Sequence, residues 1–313
     1  MSNNSSQSQL QKACALVLLL ASVLALSCSR RSGDVVRKNI EGTAIREVTD
    51  ELGRRVRVPV PLKRIVTLAP NLTEIVYAVG AGDKLVGNTT YCDYPEQAKR
   101  VAKVSDTLHP NIEQIVALHP QLIFVSTASQ LEAFTRQLDE QGIAVYITDP
   151  RDLEGVFRSI NAMGELLDQH ERAEQLVQDL RSRVSHVERI VASSKPVRVF
   201  MQFSDKPLYT AGRDAFVTDM IRRAGGVSVT AEVPGAWPRL SDETALASRP
   251  EAIIMAADNS TGRQEVAEAL RKSPAAVKGR VYAINGDFLS RPGPRLVEGI
   301  EQIARVLHPE NFK

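Results

Sequence analysis

The stretch that decides the fold is RIVTLAPNLTEIVYAVGAGDKLVGNTTYCDYP, residues 64–95. Its first part, RIVTLAP (64–70), is a short apolar run that ends in proline. In the following LTEIVYAVGA (72–81) the apolar residues recur at helical spacing. KLVGNTTY (84–91) is apolar at its start and predicts a second strand. A strand, a helix and a strand in so short a span are typical of a parallel sheet covered by helices.

Strand and helix signals alternate on both sides of a purely helical middle region. After residue 111 the sequence predicts a helix that Pro120 stops, then a buried strand, a helix and another strand. Residues 152–192 keep apolar residues at helical spacing with no strand between them, and the second part, 171–192, is charged on its other face. Strand and helix signals then resume up to a last helix that reaches Leu307. The sequence therefore predicts an α/β protein in which two Rossmann-like lobes are joined by a single long α-helix.

The beginning of the folded part has a different pattern. Arg46–Val60 alternates between apolar and polar residues, which predicts a hairpin with DELGRR (50–55) as its turn. The expected organisation is a signal peptide (1–27), a flexible tether (28–45), an N-terminal α/β lobe (46–170), the connecting helix (171–192) and a C-terminal α/β lobe (193–313).

The N-terminal run predicts export from the cytoplasm. Ala13–Leu26 contains fourteen uncharged residues, too few to span about 30 Å of hydrocarbon as a helix but typical of a signal peptide. Ser27-Cys28 after this run resembles a bacterial lipobox, which implies that Cys28 carries a lipid and anchors the protein on the periplasmic side of the cell envelope. Ala25 stands where that motif prefers leucine, so a plain secretory signal is the alternative.

Charge and cysteine content exclude two further classes. The 313 residues carry a formal net charge of +2, and lysine and arginine are dispersed, so the sequence predicts no nucleic-acid partner. Cys14 leaves with the leader and Cys28 takes the lipid. Cys92 then has no internal partner, and the exported chain has no intramolecular disulfide.

Catalytic and metal-binding motifs are absent from the sequence. The histidines are scattered, and there is neither a G-x-S-x-G nor an H-E-x-x-H motif. We therefore expect no enzyme, no cofactor and no metal site. The alternative from another class is a thiol-dependent hydrolase that uses Cys92 with His109 as its base.

One internal repeat is visible in the sequence. EQIVALHPQLI (113–123) and ETALASRPEAI (243–253) share four identities at an offset of 130 residues. Two similar lobes would explain the match, and two unrelated helix stops are the alternative. In each copy a glutamate, Glu113 or Glu243, lies near the start of a helix, where free N–H groups and the helix dipole favour a carboxylate.

Five segments carry a family resemblance. Residues 64–95, NIEQIVALHPQLIF (111–124), VFMQF (199–203), VPGAWPRLSDE (233–243) and DFLSRPGPRLVEGIEQIARVL (287–307) resemble ABC-importer substrate-binding proteins of the cobalamin and iron-siderophore class, and are most similar to its cobalamin-binding members.

The resemblance implies a fold and a set of partners. The fold is that of class III periplasmic binding proteins of the helical-backbone metal-receptor type. Such a protein is a monomer that holds a ligand between its lobes and hands it to the ABC permease and ATPase complex of the inner membrane. The resemblance also implies that Glu113 and Glu243 meet arginines of the permease, a role compatible with helix capping.

The resemblance assigns ligand contacts to Tyr91, Phe203, Trp237, Asp287 and Arg291. A core position for Phe203, and an internal ion pair between Asp287 and Arg291, are the alternatives. Aromatic rings and a few polar groups suit a large ligand with an apolar face and an amide rim, such as cobalamin or a related corrinoid.

The sequence also departs from the cobalamin-binding members. Two further cleft tryptophans of those members are missing, and nearby positions are polar: Asp106, Thr107, Ser126 and Thr127. Haem and a ferric siderophore therefore remain alternatives, and arginines that could serve a siderophore are Arg213, Arg239 and Arg291.

Overall fold

The computed structural model describes residues 36–38, 44–104, 106, 111–126, 137–138, 141–257 and 265–312. The predicted signal peptide, Cys28, His109, Thr107 and Thr127 lie outside these residues, as does most of the helix predicted over 131–142.

The elements follow the predicted alternation. The strands are β1 (Val36–Lys38), β2 (Ala44–Thr49), β3 (Arg55–Val60), β4 (Ile65–Thr67), β5 (Leu85–Asn88), β6 (Leu122–Ser126), β7 (Ala144–Thr148), β8 (Val197–Gln202), β9 (Ser204–Asp205), β10 (Leu208–Tyr209), β11 (Gly226–Ser228), β12 (Ala252–Ala257) and β13 (Val281–Asn285). The helices are α1 (Pro70–Ala78), α2 (Ile112–Ala117), α3 (Leu153–Leu166), α4 (His170–Val191), α5 (Phe216–Arg223), α6 (Asp242–Ala247), α7 (Pro274–Val277), α8 (Gly286–Ser290) and α9 (Leu296–Leu307).

Two parallel sheets of the same topology form the lobes. Within the described residues the N-terminal sheet has the strand order β5-β4-β6-β7 and the C-terminal sheet the order β11-β8-β12-β13. All of their pairings are parallel. Since β4 and β8, β6 and β12, and β7 and β13 hold equivalent places, the sheet order supports the internal duplication predicted from the sequence.

Each sheet is buried on both faces. Along β6, Leu122 and Phe124 pack into the large core that runs through both lobes, whereas Ile123 and Val125 pack into a second cluster on the opposite face. The strand is therefore a continuous apolar run, as parallel strands covered on both sides require.

The helix α4 joins the lobes. It begins at His170 and ends at Val191, one residue before the predicted 171–192 at each end. Its buried face is an apolar stripe of Ala173, Val177, Leu180, Val184 and Val187, as expected of an amphipathic helix on a core. The predicted fold class, two α/β lobes joined by one long α-helix, is confirmed.

The N-terminal hairpin forms as predicted, but its surroundings differ from the expectation. β2 and β3 pair in antiparallel register, and the Asp50 carboxylate closes the turn by accepting from the backbone N–H groups of Leu52 and Arg54 at 3.1 and 2.8 Å. β1 pairs with β2. Residues 36–38 and 44–45 of the predicted tether (28–45) thus lie in paired strands, and the tether itself stays a prediction.

No helix in the described part of the chain combines the length and the apolar character needed to cross a membrane.

Candidate ligand-binding cleft

The loops at the carboxyl edges of the two sheets meet between the lobes. Open α/β sheets bind ligands at this edge. β5 leads into the loop that contains Tyr91, and β13 leads into α8 and the following segment Arg291–Arg295, here named the RPGPR segment. The guanidinium of Arg291 donates from Nη1 to Oδ1 of Asp93 at 2.7 Å. The two lobes thus contact each other where the sequence placed the ligand.

Hydrogen bonds from Lys103 and Asn88 fix the backbone of the loop after β5. Lys103 donates from Nζ to Oδ1 of Asn88 at 2.8 Å and to the backbone oxygens of Cys92 and Ala98. The Asn88 amide donates to the Ala98 oxygen at 3.0 Å. Burial disfavours the charged ammonium and lowers the pKa of Lys103. These bonds fix the backbone under Tyr91 without using its side chain.

Cys92 belongs to this support. Its side chain is buried, with 1% of the residue exposed, and Sγ lies 3.1 Å from the Thr73 hydroxyl and 3.2 Å from that of Thr89. These surroundings are those of a small buried apolar residue. A thiol closed off in this way is a poor nucleophile, so the geometry gives the hydrolase alternative no support.

The two tyrosines of the loop differ in their surroundings. Tyr94 is 48% exposed, and the Arg295 guanidinium covers its ring at 4.1 Å from the centroid. Tyr91 is 57% exposed, and among the described residues it has no ring or hydrogen-bond partner. The ring and hydroxyl of Tyr91 are therefore accessible to a ligand, and its assignment as a ligand contact stays a prediction.

Trp237 and Phe203 come together in the C-terminal lobe. Their ring centroids lie 4.8 Å apart at an interplanar angle of 81°, and Phe216 approaches the indole at 5.8 Å. Such edge-to-face pairs are favourable for aromatic rings. Trp237 remains 38% exposed. Phe203 is part-buried and packs against the core. It therefore supports the indole, and its surroundings also agree with the alternative prediction of a core position.

The loop that carries Trp237 has a defined backbone. Gly212 donates its N–H to the Ala236 oxygen at 3.0 Å, and the Asp214 carboxylate accepts from the Gly235 N–H at 3.0 Å. A Cβ at position 212 would come within 2.2 Å of the Gly235 oxygen, so only glycine allows the two loop segments to lie this close. The indole therefore projects from a fixed loop.

Asp287 and Arg291 form an ion pair, at 2.8 Å between Oδ1 and Nη2. The internal ion pair that stood as the alternative is thus present, and it is part of a larger cluster. We name this cluster the inter-lobe charge cluster; its members are Glu74, Asp93, Asp287, Arg291 and Arg295.

Glu74 lies at the centre of the inter-lobe charge cluster. Its side chain is 2% exposed and accepts two bonds from Arg295, Nε to Oε2 at 2.9 Å and Nη2 to Oε1 at 2.6 Å. Arg291 Nη1 adds a contact at 3.2 Å. The sequence analysis assigned no role to Glu74, Asp93 or Arg295. A carboxylate inside the apolar stretch LTEIV was the available signal, since a buried charge requires a partner.

Charge pairing dominates the titration of this cluster. Partial burial alone would raise the pKa of Asp93, but the hydrogen bond and the charge of Arg291 outweigh it, and the pKa lies below its usual range. Burial likewise opposes the charged forms of Arg291 and Arg295, yet their carboxylate partners raise the pKa of both. All three groups are charged at neutral pH.

The two predicted docking glutamates occupy equivalent positions. Glu113 is exposed on the second residue of α2, and Glu243 on the second residue of α6. Side chains of Asn111 and Ser241 cap the two helices. Hydrogen bonds from its own backbone N–H and from Ser241 lower the pKa of Glu243, so the capping role of this carboxylate is present. An open cavity of about 550 Å³ adjoins Glu243.

Among the described residues, the remaining polar positions do not assemble into a recognisable site. Arg291 is shared among three carboxylates, and Arg213 lies 3.8 Å from Asp214. Ser126 is buried at the end of β6 and Asp106 is part-buried. Over the described ranges no group of three or more histidine, cysteine, aspartate or glutamate side chains is arranged to hold a metal ion.

Two α/β lobes, one connecting helix and a cleft at the carboxyl edges of both sheets are the architecture of class III periplasmic binding proteins. The sequence matches the family described as Periplasmic binding protein over residues 65–287. The chain therefore belongs to this family.

Individual relatives carry more specific names. The chain is 32% identical to an uncharacterized ABC transporter substrate-binding lipoprotein, YvrC, of Bacillus subtilis, over 95% of this chain and 96% of the relative. It is 32% identical to the vitamin B12-binding protein of Vibrio cholerae, over 80% and 90%.

Solved structures give the same picture. The periplasmic vitamin B12 binding protein BtuF of Vibrio cholerae aligns with a TM-score of 0.72 at 31% identity, over 81% of this chain and 99% of that one. The periplasmic heme-binding protein BhuT aligns with a TM-score of 0.71 at 24% identity, over 80% and 99%, and shows the shared fold.

Proposed function

We propose that this protein captures cobalamin or a related corrinoid between its lobes and delivers it to the permease of an ABC importer. It binds and releases its ligand and performs no reaction. The observation that carries the proposal is the half-exposed Trp237, which Phe203 holds edge-on at 4.8 Å on a fixed loop of the cleft. The vitamin B12-binding relatives at 31–32% identity support the choice of ligand.

The chemistry of the cleft suits a corrinoid. An indole and a phenol offer broad faces for the apolar part of the ring, since aromatic side chains contribute large contact areas at little entropic cost. The amide rim of the ligand needs a small number of oriented polar groups. We assign that role to Asp287, part-exposed with 24% of its side chain accessible, and to Arg291 beside it.

Haem is the second candidate, and Tyr91 is the observation that favours it. Its phenol is 57% exposed and has no hydrogen-bond partner among the described residues, and a tyrosine oxygen is one of the side-chain ligands used for haem iron. A corrinoid would use the ring of Tyr91 for stacking, whereas haem would use its oxygen.

We further propose that Cys28 carries a lipid after export and that Glu113 and Glu243 contact the permease. Both glutamates are exposed at equivalent points of the two lobes, so they present one carboxylate on each side of the cleft. Charge pairs of this kind favour orientation and association rate over affinity.

Calorimetry tests the ligand. The chain from Ser29 onward is titrated with cyanocobalamin, haem and a ferric siderophore in turn. We expect heat of binding with cyanocobalamin, together with a change in the fluorescence of the single tryptophan. Binding of haem without binding of cyanocobalamin would replace the first candidate by the second. A Tyr91→Phe variant separates the two, because it removes an iron ligand and leaves a stacking surface.

A further inference from the structure

The geometry points to Glu74 and Arg295 as a positioning pair that ties the two lobes together and sets the width of the cleft. The inference rests on the proposed function in one respect, namely that the cleft holds the ligand. The pair itself makes no ligand contact, so it is distinct from the ligand positions Tyr91, Trp237, Asp287 and Arg291.

The pair links elements of different lobes. Glu74 lies in α1, directly after the first strand of the N-terminal sheet, and Arg295 precedes α9 in the C-terminal lobe, 221 residues away. Two parallel hydrogen bonds, at 2.9 and 2.6 Å, join the guanidinium to the carboxylate. A bidentate arrangement of this kind fixes direction as well as distance, because both groups are planar.

Burial makes the arrangement selective for one spacing. The side chains of Glu74 and Arg295 are 2% and 13% exposed. A small shift that breaks the fork while water stays excluded leaves the buried carboxylate with only the Arg291 contact at 3.2 Å, and an incompletely paired buried charge costs more than the net gain from forming the pair. The pair therefore disfavours small departures from the observed cleft width, whatever it contributes to the free energy of unfolding.

The RPGPR segment extends the contact. The Asn71 side chain donates to the Pro292 oxygen at 3.3 Å, and a Cβ at Gly293 would lie 3.4 Å from the Asn71 oxygen. Both Pro292 and Gly293 are buried. The backbone of the C-terminal lobe thus rests on the first turn of α1, and two prolines restrict its conformations.

The tie also orders the ligand loops. Arg295 stacks on Tyr94, three residues from Tyr91, at 4.1 Å, and approaches Asp287 at 3.6 Å. A single guanidinium therefore contacts the loop of one lobe and the ligand-side carboxylate of the other. A substitution that weakens the contacts of Arg295 should change the distance between the loop of Tyr91 and the carboxylate of Asp287 without removing either ligand position.

Distance measurements between spin labels test the inference. Labels are placed at Gln114→Cys and Thr244→Cys, exposed residues at equivalent positions of α2 and α6, in the chain from Ser29 onward; native Cys92 is buried. Without ligand we expect one narrow distance distribution. Glu74→Gln and Arg295→Lys should each broaden or shift it, and the double variant should add little to either single change, because the residues act as one unit.

The control is Arg54→Gln. It breaks an ion pair with the buried Asp50 at 2.8 Å, within the N-terminal lobe, and should leave the distribution narrow. Arg295→Lys keeps the charge, so it remains informative if Glu74→Gln fails to fold. Unchanged distributions in Arg295→Lys and in any folded Glu74→Gln protein would overturn the inference.

Ligand affinity supplies a second readout. We expect cyanocobalamin to bind about tenfold more weakly to Arg295→Lys, a coupling of ordinary size between two sites. If the distance distributions change in the variants but no corrinoid binds to any of the proteins, the positioning role of Glu74 and Arg295 is supported and the proposed ligand is wrong. If cyanocobalamin binds and the distance distributions stay unchanged in the variants, the proposed ligand is supported and the positioning role of Glu74 and Arg295 is wrong.

Discussion

His119 and Arg249, 130 residues apart, adopt the same left-handed backbone conformation, with φ angles of 46° and 44°. Each follows the C-cap residue of a helix, α2 or α6, and precedes a proline, Pro120 or Pro250. Proline disfavours the right-handed helical conformation in the residue before it, so the helix must stop there. The conformation is uncommon for residues other than glycine, and its recurrence at this offset identifies the two helix ends as copies of one structure.

The copies extend to the groups that hold the helix ends. Arg64 donates to the Leu118 oxygen at 2.6 Å, and Arg198 donates to the Ser248 oxygen at 2.7 Å. The two accepting residues are again 130 residues apart. In addition, side-chain oxygens of Gln121 and Glu251 each accept from the backbone of the corresponding arginine, at 3.1 Å. Each lobe thus fixes the end of its helix, α2 or α6, by the same bonds.

Truncating either arginine should loosen its own helix end. We expect Arg64→Ala and Arg198→Ala each to lower the free energy of unfolding by about 1 kcal/mol, since each removes hydrogen bonds that are open to solvent. Urea denaturation measures the change. Lys63→Ala, at the exposed neighbouring position, is the control and should have no effect. Equal losses of unfolding free energy in the control and in the arginine variants would argue against the conclusion that these arginines hold the helix ends.

The docking role predicts a separation of binding from transport. Glu113→Ala combined with Glu243→Ala should leave ligand affinity within twofold, because both carboxylates are exposed outside the cleft loops, and should lower uptake about tenfold through slower productive association. Uptake of labelled cobalamin by cells and calorimetry of the purified protein measure the two effects. Glu268→Ala, another exposed glutamate, is the control. Normal uptake by the double variant would remove the docking assignment.

Local signals predicted the fold, because they need no knowledge of distant partners. The apolar runs and the Pro and Gly stops place the strands, and the amphipathic period of α4 places its ends within one residue of the structure. The offset of 130 residues between Glu113 and Glu243 predicted two copies of one lobe.

The inter-lobe charge cluster could not be predicted from local sequence signals. Glu74 and Arg295 are separated by 221 residues, and nothing in either neighbourhood names the other as a partner. Family resemblance assigned Asp287 and Arg291 to the ligand but could not reveal that Arg291 also contacts two carboxylates of the other lobe. The same limit applies to Phe203 and Trp237, whose contact depends on the folding of two loops.

Removal of the indole should weaken ligand binding strongly. We expect Trp237→Ala to reduce affinity for cyanocobalamin about 10- to 100-fold, because it removes the exposed indole surface of the cleft along with its stacking energy. Calorimetry measures the loss, and the circular dichroism spectrum should stay unchanged since Trp237 is 38% exposed. Val277→Ala, which shortens a side chain that is 76% exposed, is the control. Equal affinities of Trp237→Ala and the parent protein would contradict the assignment of the cleft.

Replacement of the buried thiol should affect stability and spare binding. Cys92→Ala leaves the Thr89 hydroxyl without its partner at 3.2 Å and should cost about 1–2 kcal/mol of unfolding free energy, the usual penalty for an unsatisfied buried group. Thr73 keeps its bond to Thr67 at 2.6 Å. Cys92→Ser should recover part of the loss. Ligand affinity should stay within twofold in both variants. A large fall in affinity at unchanged stability would instead indicate that the thiol takes part in binding.

Acidification should release the contact between Asp93 and Arg291. The pairing holds the folded-state pKa of Asp93 below its value in the unfolded chain. Its stabilisation is therefore complete above the unfolded-state pKa of about 3.9 and is lost as the pH falls through the folded-state value.

The difference in unfolding free energy between the parent protein and Asp93→Asn should accordingly be largest at neutral pH and shrink in acid. Urea denaturation at pH 7, 5, 4 and 3 measures it. Asp83→Asn, at an exposed carboxylate of the same lobe, should show no such trend. A difference that grows on acidification would mean that Asp93 is held in its protonated form and that the guanidinium of Arg291 is not its partner, because a cation at 2.7 Å can only favour the ionised carboxylate.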